Sequence, residues 1–236
     1  MSDTKAPRIY RAGEMATPET LVPLDDDAAH HLLAVLRKQK GAPIRLFNEA
    51  SGEWLAELEP DGKRRAAARL VRQLRRPEPQ SGPLLAFSPV KKQRLDLVIE
   101  KAVELGVSQL VPVITERCEN RRLNTDRLAA QVRGAAEQCE RLSLPDVAAE
   151  TGLAAFLAAW KGDRPLIVLD ETGAGEPLAT LAGRLGPVEV GFLLGPEGGF
   201  TLGELEILAS QAFVLRAGLG PRILRAETAA IAALSI

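Results

Sequence analysis

Two backbone-rich loops, rather than ionisable side chains, carry the strongest chemical signal in this chain. LLGPEGGFTLGELE (Leu193 to Glu206) and AGLGPRILRAET (Ala217 to Thr228) each begin where an apolar run ends. Each reads as a strand running into a loop that opens a helix, the place where open α/β sheets hold ligands. Gly195, Gly198 and Gly199 are expected to take positive φ and to let backbone amides approach a ligand, with Pro196 stiffening the turn. Thr201 and Glu204 form a T-x-x-E capping box that starts a helix at Thr201. A tight connection with a good cap also explains the first loop taken alone. Two such loops about one α/β unit apart point to one shared site.

Several other chemistries are excluded. No G-x-x-x-x-G-K-[ST] occurs, so the loops are not a phosphate cradle with its lysine. Gly173-Ala174-Gly175 follows an apolar strand, but Leu178 stands where a dinucleotide fingerprint has its third glycine, and Asp170 and Glu171 at the mouth of that turn would repel a pyrophosphate. His30 and His31 are adjacent on a helix and point to different faces, so no shared metal is expected; one is read as solvent-facing and one as packed. The C-terminal part contains no histidine, which removes a Ser/His/Asp or Cys/His set. A site built from main-chain groups and apolar walls suits a planar, uncharged ligand such as adenosine better than a triphosphate.

The elements that must position these loops form two patterns. From Arg8 to about Leu74 the apolar segments are short, and Ile44 to Phe47 and Glu53 to Leu58 flank a turn-rich Asn48 to Gly52 that fits a β-hairpin. One helix, Asp26 to Lys38, interrupts them, capped by Asp25 or Asp26 and burying Leu32, Leu33, Val35 and Leu36. Arg69 to Arg76 reads either as a helix with one arginine face or as the last strand of this small β-rich domain. The proline-rich Arg75 to Pro83 is the linker candidate. Beyond it strand and helix alternate: strands at Leu84 to Phe87, Gln109 to Val113, Leu166 to Leu169, Val188 to Leu194 and Ala212 to Leu215; helices at Gln93 to Leu105, Asp126 to Arg141, Leu153 to Trp160, Pro177 to Leu185, and from Thr201 and Ala226. That alternation predicts an α/β domain with a mainly parallel sheet covered on both faces.

A chain of 236 residues, 46% hydrophobic and 26% charged, is an ordinary globular sequence. The polar N-terminus lacks a signal-peptide core and no long apolar run occurs, so a cytoplasmic, membrane-free protein is expected. Cys118 and Cys139 have neither metal nor redox spacing and read as structural thiols. The net charge of -1 hides a basic stripe: Lys63, Arg64, Arg65, Arg69, Arg72, Arg75 and Arg76 with no acidic residue between them, followed by Lys91, Lys92 and Arg94. Such a stripe can neutralise RNA phosphates, or it can be a solvated face.

LLGPEGGF (Leu193 to Phe200) and LGPRILRAETA (Leu219 to Ala229) resemble the two signature loops of the ribosomal RNA small subunit methyltransferase E family, in the SPOUT superfamily. HHLLAVLRKQKG (His30 to Gly41), KAVELGV (Lys101 to Val107) and AAEQCER (Ala135 to Arg141) agree in order, so the resemblance covers nearly the whole chain. It implies a PUA-like β-barrel over residues 1–75 that helps bind RNA, a linker at 76–83, and an α/β trefoil-knot domain over 84–236 that binds S-adenosylmethionine. It further implies a homodimer acting on small-subunit (16S) ribosomal RNA or the 30S particle, with methylation at N3 of a uridine. In the family the last helix continues past the position of Ile236, so the chain is expected to be truncated there.

Carried over by position, the implied cofactor residues are Leu169, Leu194, Gly195, Pro196, Glu197, Gly198, Gly199, Leu219, Gly220, Ile223 and Leu224. Uracil N3 carries a proton, so the reaction needs a base or an anion-stabilising cation. Arg225 is the candidate cation and Glu197 or Glu227 the candidate base; helix capping or an ion pair explains either carboxylate as well. Arg69, Arg72, Arg75, Lys91, Lys92, Arg94, Gln138 and Arg141 are the candidate RNA contacts, the last two one turn apart on a helix. The alternatives are an RNA-binding assembly protein without turnover and a methyltransferase of another RNA.

Overall fold

The computed structural model describes residues 5–62, 64–173 and 175–236. Lys63 of the basic stripe, Ala174 of the Gly-Ala-Gly turn and the first four residues therefore lie outside the described residues. Two compact units emerge: one runs to Gln80 and includes Ala136–Leu144, and the other comprises Ser81–Ala135 and Pro145–Ile236.

In the first unit β1 (Arg8–Tyr10), β2 (Leu21–Pro23), β3 (Pro43–Asn48), β4 (Gly52–Asp61) and β5 (Arg65–Arg75) form one sheet in the order β1-β3-β4-β5-β2. The β3–β4 hairpin is the expected one. Asn48 Oδ1 accepts the Ser51 N–H at 2.6 Å and Gly52 takes φ 73°, closing the turn. Arg65–Arg75 is a strand, not a helix. Its alternation sends Ala66, Ala68 and Leu70 into a core with Ile44, Leu46, Trp54 and Leu58.

The helix read over Asp26 to Lys38 is shorter than expected. Asp25 caps it by accepting the Ala28 N–H at 2.8 Å, α1 spans Asp26–His30, and His31–Val35 is wound as a π-helix. The Leu36 N–H then donates five residues back, to His31 O. The wider turn rotates later side chains off the buried face. Leu32 is fully buried, but Val35 is 58% and Leu36 39% exposed, contrary to the expected apolar side. Both His30 and His31 face solvent, which corrects the reading of one as packed.

The second unit holds β6 (Leu84–Phe87), α2 (Lys92–Glu104), β7 (Gln109–Ile114), α3 (Thr125–Gln138), β8 (Asp146–Val147), β9 (Thr151–Gly152), α4 (Leu153–Ala159), β10 (Leu166–Leu169), β11 (Glu176–Pro177), α5 (Leu178–Leu185), β12 (Gly191–Leu194), α6 (Leu202–Ala209), β13 (Val214–Gly218) and α7 (Ala226–Leu234); the last residues of α3 count with the first unit. Its sheet runs β11-β13-β10-β12-β6-β7-β8, every pairing parallel, with β9 on β7. Covered on both faces, β6, β10 and β12 are buried at every residue, which is why they read as unbroken apolar runs. Helix α2 buries Leu95, Val98, Ile99, Ala102 and Val103, one stripe of a 3.6-residue period, and Gly106 follows it at φ 85°.

Three boundaries differ from the sequence reading. The strand expected from Val188 begins only at Gly191, because Gly186 at φ 69° and Pro187 break the run and leave Val188 49% exposed. The last strand lies at Val214–Gly218, two residues later than expected. Helix α3 stops at Gln138, and Glu140 takes φ 60°, so Arg141 lies beyond the helix rather than one turn along it from Gln138.

Candidate functional site

β12 pairs between β10 and β6, and β13 lies on the far side of β10, so the chain leaves β10, β12 and β13 at one edge of the sheet. There the loops enclose a cavity of about 510 Å³, within the ordinary range for a small-molecule site. Leu169 enters from the end of β10. Leu194, Gly195, Pro196, Glu197 and Gly198 come from the first glycine loop, and Leu219, Gly220, Ile223, Leu224 and Arg225 from the second. The structure thus brings together on one cavity nearly all the residues singled out for a cofactor; Gly199 is the exception and does not line it. Ile223, 83% exposed, offers apolar surface at the cavity. Main-chain loops, leucine walls and this volume fit an adenosine-type ligand.

The glycines do different work from that expected. Of Gly195, Gly198 and Gly199 only Gly199 takes positive φ, at 68°, where its N–H donates to Pro196 O at 2.9 Å and closes the turn. Gly195 is a matter of room. A Cβ there would lie 2.9 Å from Phe200 Cε2. Past the turn the expected capping box is present: Thr201 Oγ1 accepts the Glu204 N–H at 3.3 Å, and Glu204 Oε2 accepts the Thr201 N–H at 2.9 Å. Glu204, only 4% exposed, also accepts the Glu116 N–H at 2.8 Å through Oε1, which ties the loop after β7 to the ligand loop. Replacing Glu204 by Ala removes two charge-assisted bonds from a buried site, and unfolding by urea should register a loss of about 2 to 3 kcal/mol. A loss below about 0.5 kcal/mol would contradict the tie.

The sequence reading missed Arg117. Its Nη1 donates to Gly198 O at 2.8 Å and reaches Phe200 O at 3.5 Å, bracing the loop from outside; no local spacing signals such a contact. Glu197 Oε1 accepts the Lys91 N–H at 3.2 Å and lies 3.4 Å from Arg94 Nη1. Its charge faces the N-terminus of α2, where a helix favours an anion. Arg94 joins the cavity wall, and Lys91 also reaches Glu119 at 3.6 Å. Arg225 is the N-cap residue of α7 and lines the cavity. Glu227, in the first turn of α7, does not line it, and its buried Oε2 has no hydrogen-bond partner among the described residues.

Neighbouring the same cavity, Asp170 is held between Arg216 and its own loop. Its Oδ2 lies 2.7 Å from Arg216 Nη2, an ion pair whose angle makes no hydrogen bond, and its Oδ1 accepts the Thr172 N–H at 2.8 Å. Glu171 lines the cavity beside it. Burial by its surroundings, then the Asp170 charge, push its carboxyl above the ordinary glutamate range, and Arg117 opposes them.

The basic run on β5 is less free than its composition implies. Arg69 pairs with Glu59 at 3.5 Å, and Arg75 reaches Glu53, Glu78 and Glu140 O. Arg72 and Lys92 are exposed. Gln138 is exposed near the C-terminal end of α3. Arg141 is packed: its carbonyl accepts from Arg8 Nη2 at 2.8 Å, its Nε donates to Ser143 at 3.2 Å, and burial lowers its guanidinium pKa. Both cysteines are free thiols, and burial raises that of Cys118. Among the described residues no cluster of three or more His, Cys, Asp or Glu side chains could hold a metal, and no helix is long and apolar enough to cross a membrane.

Comparison with known proteins points the same way. Residues 78–236 match an RNA methyltransferase domain family, and residues 24–71 an RNA methyltransferase PUA domain. Ribosomal RNA small subunit methyltransferase E from Rickettsia conorii is 35% identical over 229 residues, 97% of this chain and 93% of the relative. The crystal structure of ribosomal RNA small subunit methyltransferase E from Neisseria gonorrhoeae, bound to S-adenosyl methionine, aligns with a TM-score of 0.82 at 31% identity, over 98% of this chain and 95% of that one. A methyltransferase from Legionella pneumophila, in complex with the cofactor SAM, aligns with a TM-score of 0.86 at 31% identity, over 98% and 96%.

Proposed function

This chain belongs to the ribosomal RNA small subunit methyltransferase E family, and on that premise we propose that it uses S-adenosylmethionine to methylate N3 of a uridine in 16S ribosomal RNA. The observation that carries the reading is the meeting of Leu169 and the two glycine loops on one cavity at the strand ends of a parallel sheet. In this reading Leu169, Leu194, Gly195, Pro196, Gly198, Leu219, Gly220, Ile223 and Leu224 hold the cofactor, and Gly199 sets the turn. The bound cofactor supplies an electrophilic methyl group on a sulfonium.

The rest of the task falls to the chain. N3 of uracil is not nucleophilic while protonated, so the site must stabilise developing negative charge on the base and accept a proton. Arg225, at the cavity and free of ion pairs among the described residues, is the cation we assign to the uracil anion. Glu197 braces the turn through Lys91 and Arg94, and Glu227 bears on the start of α7, so neither is our choice for the proton.

The same reading takes the second unit as a SPOUT trefoil knot, in keeping with the insertion of β12 between β10 and β6. It takes the first unit as a PUA-like β-barrel that helps bind RNA through Arg72 and neighbouring cations, Lys91 and Lys92 of the second unit as further RNA contacts, the enzyme as a homodimer, and its compartment as the cytoplasm with the ribosome. The test is transfer of labelled methyl from S-adenosylmethionine to 30S particles that lack the modification, followed by mass spectrometry of the nucleosides. Labelled 3-methyluridine from 16S RNA is expected. Salt-sensitive RNA binding without label would instead assign an assembly protein, and label confined to transfer RNA another substrate.

A further inference from the structure

Among the described residues, three carboxylates line the cavity, Asp170, Glu171 and Glu197, and of these Glu171 makes no hydrogen bond or ion pair. Glu197 is engaged by Lys91 and Arg94, and Asp170 by Arg216 and the Thr172 N–H. Glu171 lines the cavity from the loop after β10, and among the described residues nothing donates a hydrogen bond to it or forms an ion pair with it. Its carboxylate lies over the Cα of Gly199: a Cβ at that glycine would fall on Glu171 Oε1. The side chain is therefore set against the first ligand loop, near the turn that Arg117 braces.

We propose that Glu171 is the base that takes the N3 proton of the target uridine, an assignment that rests on the methyltransferase reading above. As the N3–H bond breaks, its proton passes to Glu171. The N3 electron pair forms the N3–CH3 bond while the S–CH3 bond breaks and its pair stays on sulfur. Uridine, sulfonium and carboxylate become 3-methyluridine, a neutral thioether and a carboxylic acid, so atoms and charge balance.

The charged surroundings suit the role. Glu171 is exposed at the cavity, where partial desolvation first and the Asp170 charge second disfavour its ionised form. Arg117 opposes both from the loop after β7, and Arg216 is neutralised by Asp170. Around the rest of the cavity Arg94 is paired with Glu197, while Arg222 and Arg225 face the anion the base creates. A carboxylate of raised pKa is a stronger proton acceptor than an ordinary one.

The experiment compares wild type, Glu171→Gln and Glu171→Asp as full chains. It reads S-adenosylmethionine affinity by calorimetry, single-turnover methylation of 30S particles from pH 5 to 9, and thermal unfolding. Glu171→Gln should bind the cofactor within about threefold of wild type and methylate roughly 100- to 10,000-fold more slowly, with Glu171→Asp between. The wild-type rate should rise with pH until Glu171 is ionised, and Glu171→Gln should lose that rise. Since ionising a group of raised folded pKa costs stability as pH rises, Glu171→Gln should melt no lower than wild type at pH 8. A Glu171→Gln rate within threefold of wild type, or a tenfold loss of cofactor affinity with the saturated rate unchanged, overturns the assignment; the second result would make Glu171 the counter-charge to a bound cation. If wild type labels no ribosomal RNA at any pH, the parent reading fails first and visibly.

Discussion

Glu53→Ala should unfold the first unit under conditions where the wild-type protein is stable. Glu53 is 1% exposed and stands among three guanidiniums: Arg8 Nε at 3.0 Å, Arg45 Nη1 at 3.2 Å and Arg75 Nη1 at 3.7 Å. They arrive from β1, β3 and β5, so one carboxylate ties three strands of the sheet. Arg8 is itself buried, with its guanidinium 3.5 Å from the centre of the Phe47 ring and its Nη atoms donating to Ala136 O at 2.6 Å and Arg141 O at 2.8 Å. Burial pushes the Arg8 pKa down against the pull of Glu53. Without Glu53 the buried Arg8 stays charged and loses its counter-ion, while Arg45 and Arg75 keep only Glu140 and Glu78, a change that costs about 3 to 5 kcal/mol. Against a total stability of about 5 to 15 kcal/mol that is a large share. A thermal melt should show the midpoint falling by on the order of 10 °C or more. Glu53→Gln, which keeps shape and an acceptor without the charge, should fall between. A loss below about 1 kcal/mol for the alanine variant would mean that water, not Glu53, balances these arginines.

The same cluster explains what could and could not be read from the sequence. Elements set by local pattern were legible: the Asn48–Gly52 turn, the apolar strands Leu84–Phe87 and Leu166–Leu169, the Thr201–Glu204 capping box and the two glycine loops all follow from spacings of a few residues. Partners that meet only after folding were not. Glu53 and Arg8 are 45 residues apart, and the basic run on β5 looked like a free surface for binding a polyanion because its carboxylates stand on β4 and in loops. The π-helix at His31–Val35 was hidden because its apolar spacing mimics an ordinary helix up to Leu33, and only the bond from Leu36 to His31 reveals the extra residue. In the site, the positions of the glycines were legible but their reasons were not, since room at Gly195 depends on where Phe200 packs. Arg117 escaped notice, and Glu171 was read only as a charge that would repel a pyrophosphate, because each reaches the cavity from a loop more than 20 residues from the first glycine loop.

Gly195→Val should weaken S-adenosylmethionine binding by roughly 10- to 100-fold, while Gly198→Ala in the same loop should leave it within about threefold. Gly195 is not at positive φ, so its backbone would accept a side chain; space forbids one. A Cβ there would stand 2.9 Å from Phe200 Cε2, 3.2 Å from Cζ and 3.3 Å from Cδ2. Phe200 is 8% exposed in a core with Leu84, Ala86, Val111 and Leu193, so the ring has nowhere to retreat. Interiors packed at crystal density resist such insertions, at a cost of about 1 to 3 kcal/mol. The strain must be relieved by moving the loop that walls the cavity, and each 1.4 kcal/mol taken from binding is about a tenfold loss of affinity. Gly198 lines the same cavity, but its Cβ would meet only Arg117 Cβ and Cδ at 3.5 Å, an ordinary contact with a side chain. The pair therefore separates crowding from the mere presence of a side chain in the loop. Calorimetric titration decides it: equal losses in both variants would refute the steric account of Gly195, and wild-type affinity in Gly195→Val would remove this loop from the binding site.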